Sequence, residues 1–181
     1  MSSFTIEELA NEFRQGEIIS NLLRFDWDPT TGEHGDVLTV KSAYSVVVSQ
    51  DCDLLQDFIR RRDTGLGDIS GVLLCEAETW DIVKARPTDS DIMRRIKKQF
   101  DPRYHLLDEV LSDIDQCGLG IPSLILDFKR LYTVTIESIG QQCAHVSPFL
   151  ADRRCRLKTP YREHLQHRLA SYLQRIALPD T

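Results

Sequence analysis

Between Glu17 and Thr79 apolar and polar positions alternate with a period close to two, and β-branched residues accumulate. Ahead of that stretch, Thr5 and Glu8 make a capping box, Phe4 and Leu9 stand as a hydrophobic staple, and Gly16 supplies the stop. Ile6, Leu9, Ala10 and Phe13 share one face, which predicts a short packed helix. Glu17–Phe25 reads as a strand, Asp28–Gly32 as its turn, Asp36–Val40 as a short strand and Ala43–Ser49 as a buried one. The loop Asp63–Asp68 leads into a further buried strand, Gly71–Cys75. Short strands at close spacing, with no helix between them, predict a small barrel or rolled sheet.

Helical spacing takes over in the middle of the chain. Ser90–Phe100 alternates apolar and basic residues, and Tyr104–Asp115 sets Leu106, Leu107, Val110, Leu111 and Ile114 on one face. Ile121–Ile136 reads as a return to strand. Thr159-Pro160 opens a last helix whose apolar stripe is Leu165, Leu169, Tyr172, Leu173 and Ile176, with Pro179 beyond its end. With no repeat and no low-complexity linker, the chain reads as a single α+β domain, 1–181. It has a barrel-like core over 14–80, a helical insertion over 88–116, returning strands over 121–137 and a C-terminal helix over 159–177.

Composition narrows the class. At 181 residues, 41% hydrophobic and 28% charged, the chain can bury a core and is not a disordered polymer. No apolar run reaches the roughly 18 residues of a membrane helix, and the first residues lack the pattern of a secretory signal. Five cysteines without a CxxC pair point to reduced thiols and a cytoplasmic protein without a membrane partner.

The net charge of −6 is unevenly spread. Residues 1–59 carry three basic against eleven acidic residues, a balance of −8, while residues 153–175 carry seven against one, a balance of +6. Residues 84–103 stand at +4. Such a split marks either a phosphate-binding face or acidic and basic segments that face each other inside the domain or across a partner interface.

Four segments, Arg14-Gln15-Gly16-Glu17-Ile18, Phe25–Gly35, Ser45–Asp51 and Gly71–Cys75, together resemble the small toxin barrel of the MazF/PemK family over about residues 14–80. The resemblance implies an SH3-like β-barrel that binds single-stranded RNA under the loop after the first strand. It also implies a metal-independent endoribonuclease in which His34, Lys41 and Thr79 supply a base, a cation and a hydroxyl. Where the family has Arg-Pro, this chain has Lys41-Ser42, and Thr79 follows two carboxylates, Glu76 and Glu78. Those carboxylates would repel a phosphate, so the expectation is a barrel without the nuclease function.

Other strings carry separate expectations. Asp51, Cys52 and Asp53 end a buried strand, as ligands, a thiol site or a strand-terminating turn. Asp127-Phe128-Lys129 matches half of a magnesium-dependent nuclease site. Cys143-Ala144-His145 with Cys117, Cys155 or Cys52 fits no common zinc spacing, so neither metal nor cofactor is expected. Arg153, Arg154, Arg156, Lys158, Tyr161 and Arg162 form a basic ridge with an aromatic to stack, suited to phosphates or to an acidic protein surface. The leading expectation is a non-catalytic binding or adaptor protein that engages a protein or nucleic acid through this ridge. By the resemblance, it belongs to a bacterial toxin–antitoxin or phage-defence system. The apolar face of helix 159–177 packs internally or makes a homo-oligomer.

Overall fold

The computed structural model describes residues 3–6, 12–28, 36–86, 90–144 and 151–176. Along these, the strands are β1 (Phe4–Thr5), β2 (Glu17–Asp28), β3 (Asp36–Val47), β4 (Val72–Thr79), β5 (Tyr104–Leu107), β6 (Leu124–Val134) and β7 (Asp152–Leu157). The helices are α1 (Asp51–Thr64), α2 (Trp80–Lys84), α3 (Ser90–Lys97), α4 (Ile136–Cys143) and α5 (Tyr161–Ile176), with a 3-10 turn at Ser112–Ile114.

All seven strands join one antiparallel sheet in the order β1-β7-β2-β3-β4-β6-β5. The α+β class holds, but the sheet is open, with β1 and β5 at its edges, and does not close into the expected small barrel. The reason lies in the C-terminal half of the chain. β7 supplies the second neighbour of β2, and β6 that of β4, so the strands of the 14–80 segment become the middle of a wider sheet.

Alternate side chains of this sheet bury both faces. Ile18, Val46, Cys75, Leu126, Phe128 and Cys155 face Leu165, Leu169 and Tyr172 of α5. Ile19, Val47, Val72 and Leu74 face Leu54 of α1 and Ile139 of α4. A smaller cluster joins Val83, Ile96 and Ile125. Leu165, Leu169 and Tyr172 of the α5 stripe thus pack inside the chain, the first of the two expectations for that face. Leu173, 45% exposed, remains outside.

Several expected elements differ. Phe4 and Thr5 pair with Leu157 and Arg156 as an edge strand instead of capping a helix, and residues 7–11 lie outside the described residues. The expected turn after Asp28 also lies outside them. Asp36–Val40 and Ala43–Ser49 merge into the single strand β3. Tyr104–Asp115 is no helix: pairing with β6 draws Tyr104–Leu107 into the sheet, and Val110 bridges Ile121. Tertiary pairing there overrides a helical spacing.

Gly16 shows how tightly the strand starts are locked. Its N–H donates to Val47 O at 2.8 Å and its carbonyl accepts from Leu157 N at 3.0 Å, at φ +80°. A Cβ there would lie 2.8 Å from that of Leu157.

A candidate groove between two helices

β3 ends at Val47, and the polar string Ser49–Asp53 carries the chain into α1. The backbone N–H groups of Val48 and Ser49 both donate to Leu73 O, and Leu73 N–H donates to Ser49 Oγ at 2.7 Å. The kink is therefore stitched to β4, and the expected turn is in fact a helix start. Asp51 and Asp53 lie in the first turn of α1 and complement its dipole.

Asp51 is a junction. Arg14 Nε donates to Asp51 Oδ1 at 2.8 Å, and its Nη2 donates to the other carboxylate oxygen. Gln15 N–H adds a bond of 3.2 Å, and Arg162 Nη1 of α5 stands 3.1 Å away. Burial alone would raise the Asp51 carboxyl, but the Arg14 and Arg162 guanidiniums outweigh it and hold the group below its ordinary range. Through this carboxylate the first turns of α1 and α5 are tied together.

From that tie the two helices bound a cavity of about 490 Å³. One wall is Gln50, Asp53 and Gln56; the other is Gln166, Leu169, Ala170 and Leu173, spaced i, i+3, i+4, i+7 on α5. Val48, Ile69 and Leu73 make an apolar floor. Among the described residues no Lys or Arg lines the cavity. Asp68, also in the lining, pairs with Arg60, whereas Asp53 has no ion pair among the described residues. Cys52 is exposed beside Gln50 and Asp53.

The basic ridge has a different fate. Arg153, Arg154 and Arg156 belong to β7, a strand inside the sheet, not to the approach of a surface helix. Arg153 Nη2 donates to Glu17 Oε2 at 2.9 Å, with Glu17 fully buried. Burial raises the Glu17 carboxyl, and Arg153 opposes that rise. Arg154 Nε donates to Asp115 Oδ1 at 2.7 Å, and Arg154 and Arg156 are 5% and 6% exposed. Lys158 and Tyr161 stay exposed, and Arg162 joins Asp51. The acidic and basic segments thus meet inside the domain, as Glu17 with Arg153 and Asp51 with Arg162.

Among the catalytic candidates, His34 lies outside the described residues. Lys41 sits exposed on β3 opposite Leu23, and Thr79 ends β4 opposite Leu124. The β3–β4 ladder spans only Tyr44–Val47 against Leu74–Ala77, and no hydrogen bond or ion pair joins Lys41 to Thr79 among the described residues. Glu76 and Glu78 are not bare charges. Arg130 reaches both, at 3.5 and 3.3 Å, Arg24 lies 3.7 Å from Glu76, and Arg86 pairs with Glu78.

Asp127 is likewise engaged: Arg103 Nε donates to Oδ1 at 2.7 Å, its Nη2 donates to Oδ2, and Lys129 N–H donates to Oδ1 at 3.1 Å. Among the described residues no three of His, Cys, Asp or Glu are arranged to hold a metal. Cys75 and Cys155 are buried core thiols, Cys155 pushed up to about 12 by burial, and His145 lies outside the described residues. No described helix is long and apolar enough to cross a membrane.

Sequence reasoning did not single out Asp115, Gln142 or His105, all buried polar side chains. His105 lines a second cavity of about 160 Å³ with Tyr161 and His164. Burial, with Arg168 and His164 adding to it, pushes its imidazole down to about 3. Buried polar residues of this kind carry no local periodicity by which to find them. The protein-family models and the curated proteins searched contain no match to the chain.

Proposed function

We propose that the chain is a non-catalytic binding protein whose partner contact is the groove between α1 and α5. One observation carries this reading: the polar string that closes β3 forms one wall of the 490 Å³ cavity, and an i, i+3, i+4, i+7 stripe of α5 forms the other. Such concave sites, apolar with a few convergent polar groups, are the usual form of a binding site. The inward turn of Arg153, Arg154 and Arg156 supports moving the contact away from the ridge. A photo-crosslinking amino acid at Gln166 tests it. A protein crosslink lost on Leu173→Asp supports the reading, and a crosslink to RNA, or one indifferent to Leu173→Asp, overturns it.

A second reading, metal-independent RNA cleavage around Lys41 and Thr79, is favoured by the neutralisation of Glu76 and Glu78 by Arg24, Arg86 and Arg130. It requires cleavage without metal that falls at least tenfold in Lys41→Ala.

A further inference from the structure

We infer that the occupant of the α1–α5 groove is an amphipathic helical segment of a partner protein, with a basic residue placed against Asp53. This rests on the groove being the binding site and adds the class of its occupant.

Backbone satisfaction decides the conformation. The floor of the groove offers no free sheet edge, because Val48 N–H and Ser49 N–H already donate to Leu73 O and Leu73 N–H donates to Ser49 Oγ. An extended peptide laid on that floor would find no main-chain partners, and unpaired amides in an apolar site are costly. A helix satisfies its own backbone and needs only side-chain anchors at i, i+3, i+4 and i+7. Val48, Leu73, Leu169 and Leu173 supply the apolar surface for those anchors, and Ala170, small and central on its wall, lets a second helix approach closely. Gln50, Gln56 and Gln166 rim the groove with uncharged donors and acceptors.

Charge decides the composition. Among the described residues the lining holds two carboxylates and no Lys or Arg, and Arg60 pairs with Asp68. Asp53 has no ion pair among the described residues, so it is the charge left for a partner to meet. A polyanion finds no cation among the described lining residues to receive its phosphates. No aromatic side chain among the described residues lines it to stack a base, which sets nucleic acid aside as the occupant.

The test is a selection of random 16-residue peptides displayed on phage against the full chain, counter-selected on the Leu173→Asp variant. Leu173 is 45% exposed, so this change leaves the core intact. Enriched peptides are expected to carry apolar residues at helical spacing with Lys or Arg beside them. Their affinity should fall at least tenfold on Asp53→Lys and at least tenfold when a central proline is introduced. Groove-dependent peptides that are acidic, or that tolerate proline, overturn the inference and leave the groove in place as the site. Peptides bound equally well by Leu173→Asp overturn the groove reading itself. An absence of enrichment over the Leu173→Asp background overturns the peptide class, while the crosslink from Gln166 judges the groove separately.

Discussion

The side-chain amide of Gln142 closes both backbone groups of Leu23: its Oε1 accepts from Leu23 N–H at 2.8 Å and its Nε2 donates to Leu23 O at 3.1 Å. Among the described residues β7 pairs with β2 from Glu17 to Ser20, and Asn21 follows at φ +60°. Gln142, 5% exposed on α4, supplies strand-like pairing to Leu23. Replacing it with Leu leaves a donor and an acceptor of the half-buried Leu23 unpaired. The expected loss is about 1–3 kcal/mol, measurable as a lower denaturation midpoint with an unchanged slope. A variant as stable as the wild type would show that water replaces the amide.

A buried ion pair sets a larger cost. Asp115 accepts from Arg154 and from the N–H groups of Cys117 and Leu119, at 3.2 and 3.1 Å. Burial would raise the carboxyl, but Arg154 outweighs it and holds the group low. Asp115→Ala strands the Arg154 charge and should cost about 3–5 kcal/mol. Asp115→Leu with Arg154→Met should cost less than the sum of the two single changes, a coupling that a double-mutant cycle reads directly. Arg154→Glu therefore reports on folding, not on partner binding. Lys158→Glu, at an exposed site just after β7, is the cleaner probe of any contact there.

These pairs explain what was legible in the sequence. Alternation over 17–79, the amphipathic Ser90–Lys97 and the Thr159-Pro160 start are local signals, and β2, β3, β4, α3 and α5 follow from them. The Asp-Arg-Arg-Cys-Arg-Leu run of β7 reads as surface because its burial depends on Glu17 and Asp115, far away in the chain. No short-range pattern announces such compensation. For α1 a signal was present and outweighed by the turn-like string before it. Asp51 and Asp53 stand in its first turn, Arg61 and Arg62 in its last, and Gly65 takes the left-handed cap at φ 76°. Of the site, Asp51–Asp53 and the Leu169 and Leu173 stripe of α5 are each visible in the sequence, but their juxtaposition is not, since only the fold brings the two together.

The His105 imidazole gives stability a pH dependence with a definite sign. Its ordinary pKa of 6.5 is pushed down to about 3 in the fold, so the unfolded chain binds a proton that the native chain refuses. Stability from this group is fully present above about pH 6.5 and is lost as pH falls toward 3. The slope approaches about 1.4 kcal/mol per pH unit for one proton. His164, also held low, adds to the same window, while carboxylates held low, such as Asp51 and Asp115, act further toward acid. Between pH 6 and 4.5, His105→Gln should flatten the plot of unfolding free energy against pH by nearly one proton. An unchanged slope would place the titration elsewhere.

The tie at Asp51 links stability to the groove. Asp51→Asn keeps the size of the side chain but removes the charge that holds Arg14 and Arg162, and with it the ion pair between the first turns of α1 and α5. The carboxylate is partly exposed, so the stability cost should be moderate, about 1–2 kcal/mol. The effect on the groove should exceed it, because Asp53 and Gln56 on one wall and Gln166 and Leu169 on the other are positioned from that junction. A groove-binding peptide should bind several-fold more weakly to Asp51→Asn, chiefly through faster dissociation, since the contact residues remain and only their spacing is released. Amide exchange would show the same release as loss of protection in the first turn of α5, with protection of Cys75 and Leu126 in the sheet unchanged. Equal loss across the sheet would mean that Asp51 supports the whole fold, and not the spacing of the two helices.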